Sequence, residues 1–194
     1  MMRMALAAMA AFALCGCDQL SQLTGGGSGP PLPPVRQGAQ APMTQTRPSG
    51  QVQQANVTAE VRQQLIANIG QQLDSIGQQF AAGMAPPQGF TDQIAPMQPG
   101  TDHRFQIDLT AGTPYVFIGA CDGDCTNVDI ELIDVSTGGV VASDVLPDDY
   151  PVVQYQPQAN GRYIVRLLMQ TCTVAPCYAG ARALMQSPNA GGGK

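Results

Sequence analysis

Cys121, Cys125, Cys172 and Cys177 stand in two close pairs, with three and four residues between their members. Four thiolates could hold zinc tetrahedrally, and these spacings are compatible with that. In an oxidising compartment the same four would form two disulfides, for which three connectivities exist. Asp122-Gly123 inside the first pair and Pro176 inside the second are turn formers that bring neighbours together. They favour Cys121–Cys125 and Cys172–Cys177. On the chain-entropy account a local bridge contributes about 2 kcal/mol, and a cross-bridge such as Cys121–Cys177 about 4. Threaded through the first pair are hard oxygen donors, Asp122, Asp124, Asn127 and Asp129. Calcium wants about six to eight oxygens, of which this spacing offers three or four. The EF-hand order of glycine and glutamate is absent, and acidic turn residues are ordinarily just solvated. Calcium or no cofactor are the two readings. A second acidic group, Asp144, Asp148 and Asp149, reads as solvated turn.

Catalysis is not signalled. His103 is the sole imidazole; it follows Asp102, and no serine or cysteine is set beside it by a recognisable motif. Paired carboxylates for glycoside hydrolysis carry no signature either. Tyr115, Tyr150, Tyr155 and Tyr163 could form a carbohydrate platform, but Tyr115 and Tyr163 alternate into the core pattern. The expectation is a protein that is not an enzyme.

The N-terminal segment is more specific. Arg3 gives a positive n-region, Ala5–Leu14 is apolar, and Leu14-Cys15-Gly16-Cys17 follows. A run of about ten residues suits a signal-peptide h-region and is too short to span a bilayer. Gly16-Cys17 resembles the lipobox of bacterial lipoproteins. The resemblance implies that residues 1–16 are removed and that Cys17 becomes an N-terminus carrying palmitate-type acyl chains. Two or three chains anchor stably where one does not. Asp18 resembles the sorting signal that retains lipoproteins at the inner membrane of enteric bacteria, although other lineages depart from that rule. The expected location is the bacterial cell envelope, facing the periplasm, on a membrane whose identity stays open. Its compartment would be oxidising, which again favours disulfides.

Charge narrows the partners further. Charged residues make up 12% of the chain, the formal net charge is −5, and Lys194 is the only lysine. No basic patch can neutralise phosphates, so nucleic acid is excluded as a partner, and attachment to anionic lipid must come from acyl chains.

These residues need elements to position them, and the chain divides accordingly. After the signal at 1–16, residues 17–56 read as a lipidated end and a disordered tether rich in Gly, Pro and Gln. Such a coil would have an r.m.s. reach of about 35 Å and an extended limit of about 110 Å. Residues 57–84 read as an amphipathic helix capped by Thr58, with Val61, Leu65, Ile66, Ile69, Leu73, Ile76 and Phe80 on one stripe. Ile66, Ile69, Leu73, Ile76 and Phe80 could form a short heptad seam for self-association; the alternative is that the stripe packs on the domain behind it. Residues 85–100 read as a Pro-rich connector. Residues 101–186 then switch to a period of two, with Phe105, Ile107 and Leu109 opening a series of seven short strands separated by turn signals. Pro114–Cys121 is apolar throughout, as for a strand covered on both faces. Residues 187–194 read as a flexible tail.

Phe105–Tyr115, Val128-Asp129-Ile130-Glu131-Leu132 before Gly138-Gly139, and Gly161-Arg162-Tyr163 together resemble the bacterial pre-peptidase C-terminal domain. The likeness covers about 85 residues, has cysteine pairs foreign to the family at large, and comes without a protease domain. It implies a binding or stabilising module. The expected fold is therefore mainly β, an antiparallel jelly-roll-like β-sandwich preceded by a disordered tether and one amphipathic helix. The expected role is to present that module to an envelope protein or a cell-wall polymer. The alternatives are an accessory subunit or remnant of a secreted hydrolase, and a structural oligomer held by the helix.

Overall fold

The computed structural model describes residues 27–45, 48 and 51–186. In chain order its elements are β1 (Gln53–Gln54), α1 (Ala59–Phe80), β2 (Met84–Ala85), β3 (Gln93–Met97), β4 (Thr101–Leu109), β5 (Tyr115–Cys121), β6 (Cys125–Asp134), β7 (Gly139–Asp144), β8 (Val152–Tyr155), β9 (Gly161–Cys172), β10 (Val174–Ala175) and β11 (Cys177–Gln186). Two antiparallel sheets face each other. One has the order β4-β9-β6-β7; the other has β2-β11-β5-β8, with β3 also on β11. The short β1 pairs with β10 in parallel. The expected β-sandwich is what the chain forms.

Period-two patterning builds the space between the sheets. Phe105, Leu109, Phe117, Ile130, Leu132, Val165, Leu167 and Met169 are buried there, and Ile107 packs at the edge. All of β5 is buried, because α1 covers its other face. That outer layer is set by Ile69 and Leu73, which lie fully buried against Val116, Ile118, Tyr178 and Leu184. Gly180 makes the approach close: a Cβ there would stand 2.6 Å from Ile69 Cγ2 and 2.9 Å from Ile94 Cγ1. Thr58 caps the helix as expected, its Oγ1 accepting from the Val61 N–H at 3.3 Å. The supposed seam is therefore divided. Ile69 and Leu73 face the sheet, Ile76 is half-buried beside them, and Ile66 and Phe80 remain exposed.

Two stretches differ from the reading of the sequence. The connector at 85–100 contains β3, with Pro96 in its middle. Proline is tolerated because β3 lies at an edge, paired on β11 alone. The larger correction concerns the tether at 17–56. Residues 27–45 of it lie as a strap across the outer face of the β4-β9-β6-β7 sheet. Ser28 forms a parallel bridge to His103, donating to the Asp102 carbonyl and accepting from the Arg104 N–H. Leu32 packs with Ile133, Val140 and Ile164. The strap turns beside the β6–β7 hairpin, where Arg36 donates to the Thr137 carbonyl and Gln40 accepts from the Val140 N–H. Gly138 (φ +69°) permits the passage, since a Cβ there would strike the Pro34 carbonyl. The strap is held largely through its backbone, so its side-chain composition gives little hint of order.

Candidate functional site

Beneath the strap the sheet presents charge. Arg104, Arg166 and Glu131 sit in one transverse row, because Arg166 of β9 is opposite Arg104 of β4 on one side and Glu131 of β6 on the other. Asp102 and Asp129 flank Leu168 one pleat further along the same face. Glu131, Asp129, Asp102 and Arg166 are each more than nine-tenths buried.

The geometry is that of a clamp. Arg166 Nε donates to Asp102 Oδ2 at 2.6 Å, and Nη1 donates to Glu131 Oε2 and to the Met43 carbonyl, both at 2.8 Å. Glu131 Oε1 accepts from the Met43 N–H at 2.7 Å. One buried ion pair therefore holds both backbone polar groups of a single strap residue, Met43. Arg104 Nε stands 2.9 Å from Asp102 Oδ1. Neither atom has hydrogen-bond alignment, so that contact is one of charge alone. Gln170 Nε2 donates to Asp129 Oδ2 at 2.6 Å, while Asp129 Oδ1 has no partner among the described residues. Arg104 and Arg166 offset Asp102 and Glu131 and fix the strap, while Asp129 has only the neutral Gln170 amide.

Burial pushes the Asp129 carboxyl above the ordinary carboxylate range. The Gln170 amide opposes this, and Asp144, Glu131 and Asp148 reinforce it by repulsion. The folded state thus binds this proton more tightly than the unfolded chain does. Its burden on stability is present at neutral pH and is relieved as pH falls toward the ordinary value of 3.8. Asp129→Asn is expected to raise stability at pH 7 by about 1 kcal/mol, since an unpaired amide is cheaper to bury than an unpaired carboxylate. Thermal melts across that pH range check it: the gap to the parent should close on acidification. A gap that widened would reverse the assignment.

The sites read from the sequence are placed as follows. Cys17 and Asp18 lie outside the described residues. Cys121–Cys125 and Cys172–Cys177 are both bonded, each with Cα atoms 5.9 Å apart. They sit at one end of the sandwich, where Cys125 is opposite Cys172. The proposed calcium ligands do not assemble. Asp122 turns inward, its Oδ2 accepting from the Tyr178 N–H at 2.6 Å and its Oδ1 from the Asp124 N–H at 3.3 Å. Asp124 is exposed, while Asp129 bonds Gln170 beneath the strap. Among the described residues no three His, Cys, Asp or Glu converge as for a metal. Asp122 and Asp124 lie in the turn before β6, whereas Asn127, half-buried, and Asp129, buried, lie within that strand, at and beyond its register shifts.

His103 is half-buried where the strap begins, its Nδ1 2.8 Å from Ser28 Oγ. Burial holds its pKa below the usual imidazole value, with Asp102 opposing. The four tyrosines do not make a platform. Tyr115 and Tyr163 are buried, Tyr155 stacks edge-on to Tyr163 at 5.6 Å, and Tyr150 alone is exposed. A cleft of about 380 Å³ between α1 and β11 holds Asp74, Gly77, Arg182 and Leu184. Its arginine is spent on Asp92 (2.7 Å to each oxygen) and Asp74 (2.7 Å).

The residues missed from the sequence are Asp102, Arg104, Glu131 and Arg166. One signal was present: Arg166 interrupts an otherwise apolar run from Tyr163 to Met169, and a cation so placed needs buried partners. No family model matches the chain, and no curated protein matches it.

Proposed function

We propose that this chain is a lipid-anchored protein of the bacterial cell envelope, held by acyl chains on Cys17, whose sandwich is a non-catalytic binding module. One observation carries the reading: all four cysteines downstream of the lipobox are closed in two local disulfides. Bonds of that kind form and persist in an exported chain. Two further features support it. The sandwich is covered on one face by α1 and on the other by the strap, a closed and stapled body suited to display. Its most buried polar cluster is engaged in holding its own chain. The module is of the pre-peptidase C-terminal kind by its Gly161-Arg162-Tyr163 strand, and its partner is an envelope protein or a cell-wall polymer.

The strap revises how such an anchor would act. Cys17 and Ser28 are eleven positions apart. Even fully extended, that stretch reaches no more than about 40 Å. The sandwich is then held close to the bilayer.

Mass spectrometry of the protein made in its native host tests the anchor. A Cys17 N-terminus bearing two or three acyl chains is expected, and Cys17→Ser should move the protein from the membrane to the soluble fraction. An unacylated N-terminus in the parent, or a Cys17→Ser variant still in the membrane, would overturn the reading.

A further inference from the structure

The loop between β7 and β8 exposes more apolar surface than its surroundings. Leu146 is 62% exposed, and Val145 and Tyr150 are 47% exposed each. Leu146 is left largely uncovered by the described residues, and the loop is nevertheless built firmly. Asp144 accepts from the Leu146 and Val152 N–H groups through its two oxygens, Asp148 accepts from the Tyr150 N–H, and the Asp148 carbonyl accepts from the Val128 N–H. Two of the three loop carboxylates are thus spent on shaping the loop that displays these side chains.

The loop lies at the end of the sandwich where the chain arrives. Ser28 pairs with His103, His103 with Leu167, Leu167 with Ile130, and Ile130 with Asp144. These residues form one transverse row, so four strand spacings of about 4.8 Å put Ser28 and the loop base about 19 Å apart. The bridge at Ser28 is parallel to β4. The chain before it therefore approaches from beyond the Thr101 end of that strand, the same end at which β7 delivers the loop.

From this placement we propose that the β7–β8 loop is a bilayer contact, with Val145, Leu146 and Tyr150 resting at the boundary between headgroups and acyl chains. The inference rests on the anchoring of Cys17 proposed above. A leash of eleven residues keeps the loop within reach of the surface at an effective concentration of about millimolar or more, so a few apolar side chains suffice. Asp149 is exposed and acidic, which fits a zwitterionic surface better than an anionic one.

The chain has no tryptophan, so a single introduced indole reports without background. The acylated full-length protein, checked by mass, would carry Leu146→Trp or, as a second reporter, Val145→Trp. Ala159→Trp at the far end of the sandwich is the control. In phosphatidylcholine vesicles with brominated acyl chains, Trp fluorescence of either loop variant should fall about two-fold or more, as expected for a side chain about 5–10 Å below the surface. The Ala159→Trp signal should not change. Acylated protein whose loop reporters are unquenched overturns this contact and leaves the anchor standing. A blue shift without quenching also overturns it, because the loop then meets protein. Absence of acyl chains overturns the anchor and the contact with it.

Discussion

Arg166→Ala is expected to cost about 3–5 kcal/mol of unfolding free energy, because it leaves Glu131 buried without a cation and Asp102 with only the unaligned charge of Arg104. Asp102 and Glu131 are 8% and 3% exposed, so neither can recover hydration without movement of the strap. The Met43 carbonyl loses its donor as well. The loss should therefore begin locally. Hydrogen exchange within residues 27–45 is expected to accelerate before exchange in β5 and β11, and a protease should nick the strap while the sandwich remains intact. Chemical denaturation gives the magnitude, and exchange read by mass spectrometry gives the order. Arg166→Lys should recover only part, since a single ammonium cannot span Asp102, Glu131 and Met43 in the planar geometry of a guanidinium. Replacing Arg166, Glu131, Asp102 and Arg104 together by apolar residues should restore much of the stability, since none of the four is then left as a lone buried charge. A variant that lost stability uniformly, with the strap no more labile than the core, would refute the clamp.

How much of this was legible depends on which periodicity each segment obeys. Phe105, Ile107 and Leu109 alternate because one face of β4 is wet or strap-covered and the other is core, so the strand declares itself. Pro114–Cys121 declares burial on two faces without saying that α1 supplies the second cover. Residues 27–45 obey no period: an extended segment bound through backbone groups and a few prolines needs none. The information lay on the receiving surface. Asp129 and Glu131 alternate with apolar residues as solvated positions do, and only the continuous apolar run around Arg166 hinted at a covered face. Pro96 concealed β3 for a similar reason, since an edge strand tolerates a residue that a central strand does not. The disulfides were legible because turn formers inside each pair leave short loops few other partners. The calcium set was read as one glycine-containing loop, but β6 begins at Cys125, so Asp122 in the turn bonds the Tyr178 N–H while Asp129 in the strand bonds Gln170.

The helix stripe raises the second large effect. Ile69→Ala and Leu73→Ala are each expected to cost about 2–5 kcal/mol, the range for deleting fully buried branched side chains where the surroundings collapse incompletely. Both residues are 0% exposed against a sheet face that Gly180 has cleared for them, so the cavity would be rigidly walled. The same stripe could instead have served to pair two copies of the chain. The two roles give opposite results. With the stripe docked on its own sheet, the double variant should lose thermal stability at every protein concentration and should not change its mass in solution by light scattering. Ile66→Ala and Phe80→Ala, at positions 39% and 38% exposed, should each cost distinctly less in the same melts. An Ile69→Ala, Leu73→Ala protein that melted like its parent but had lost a dimer would return the stripe to an intermolecular role.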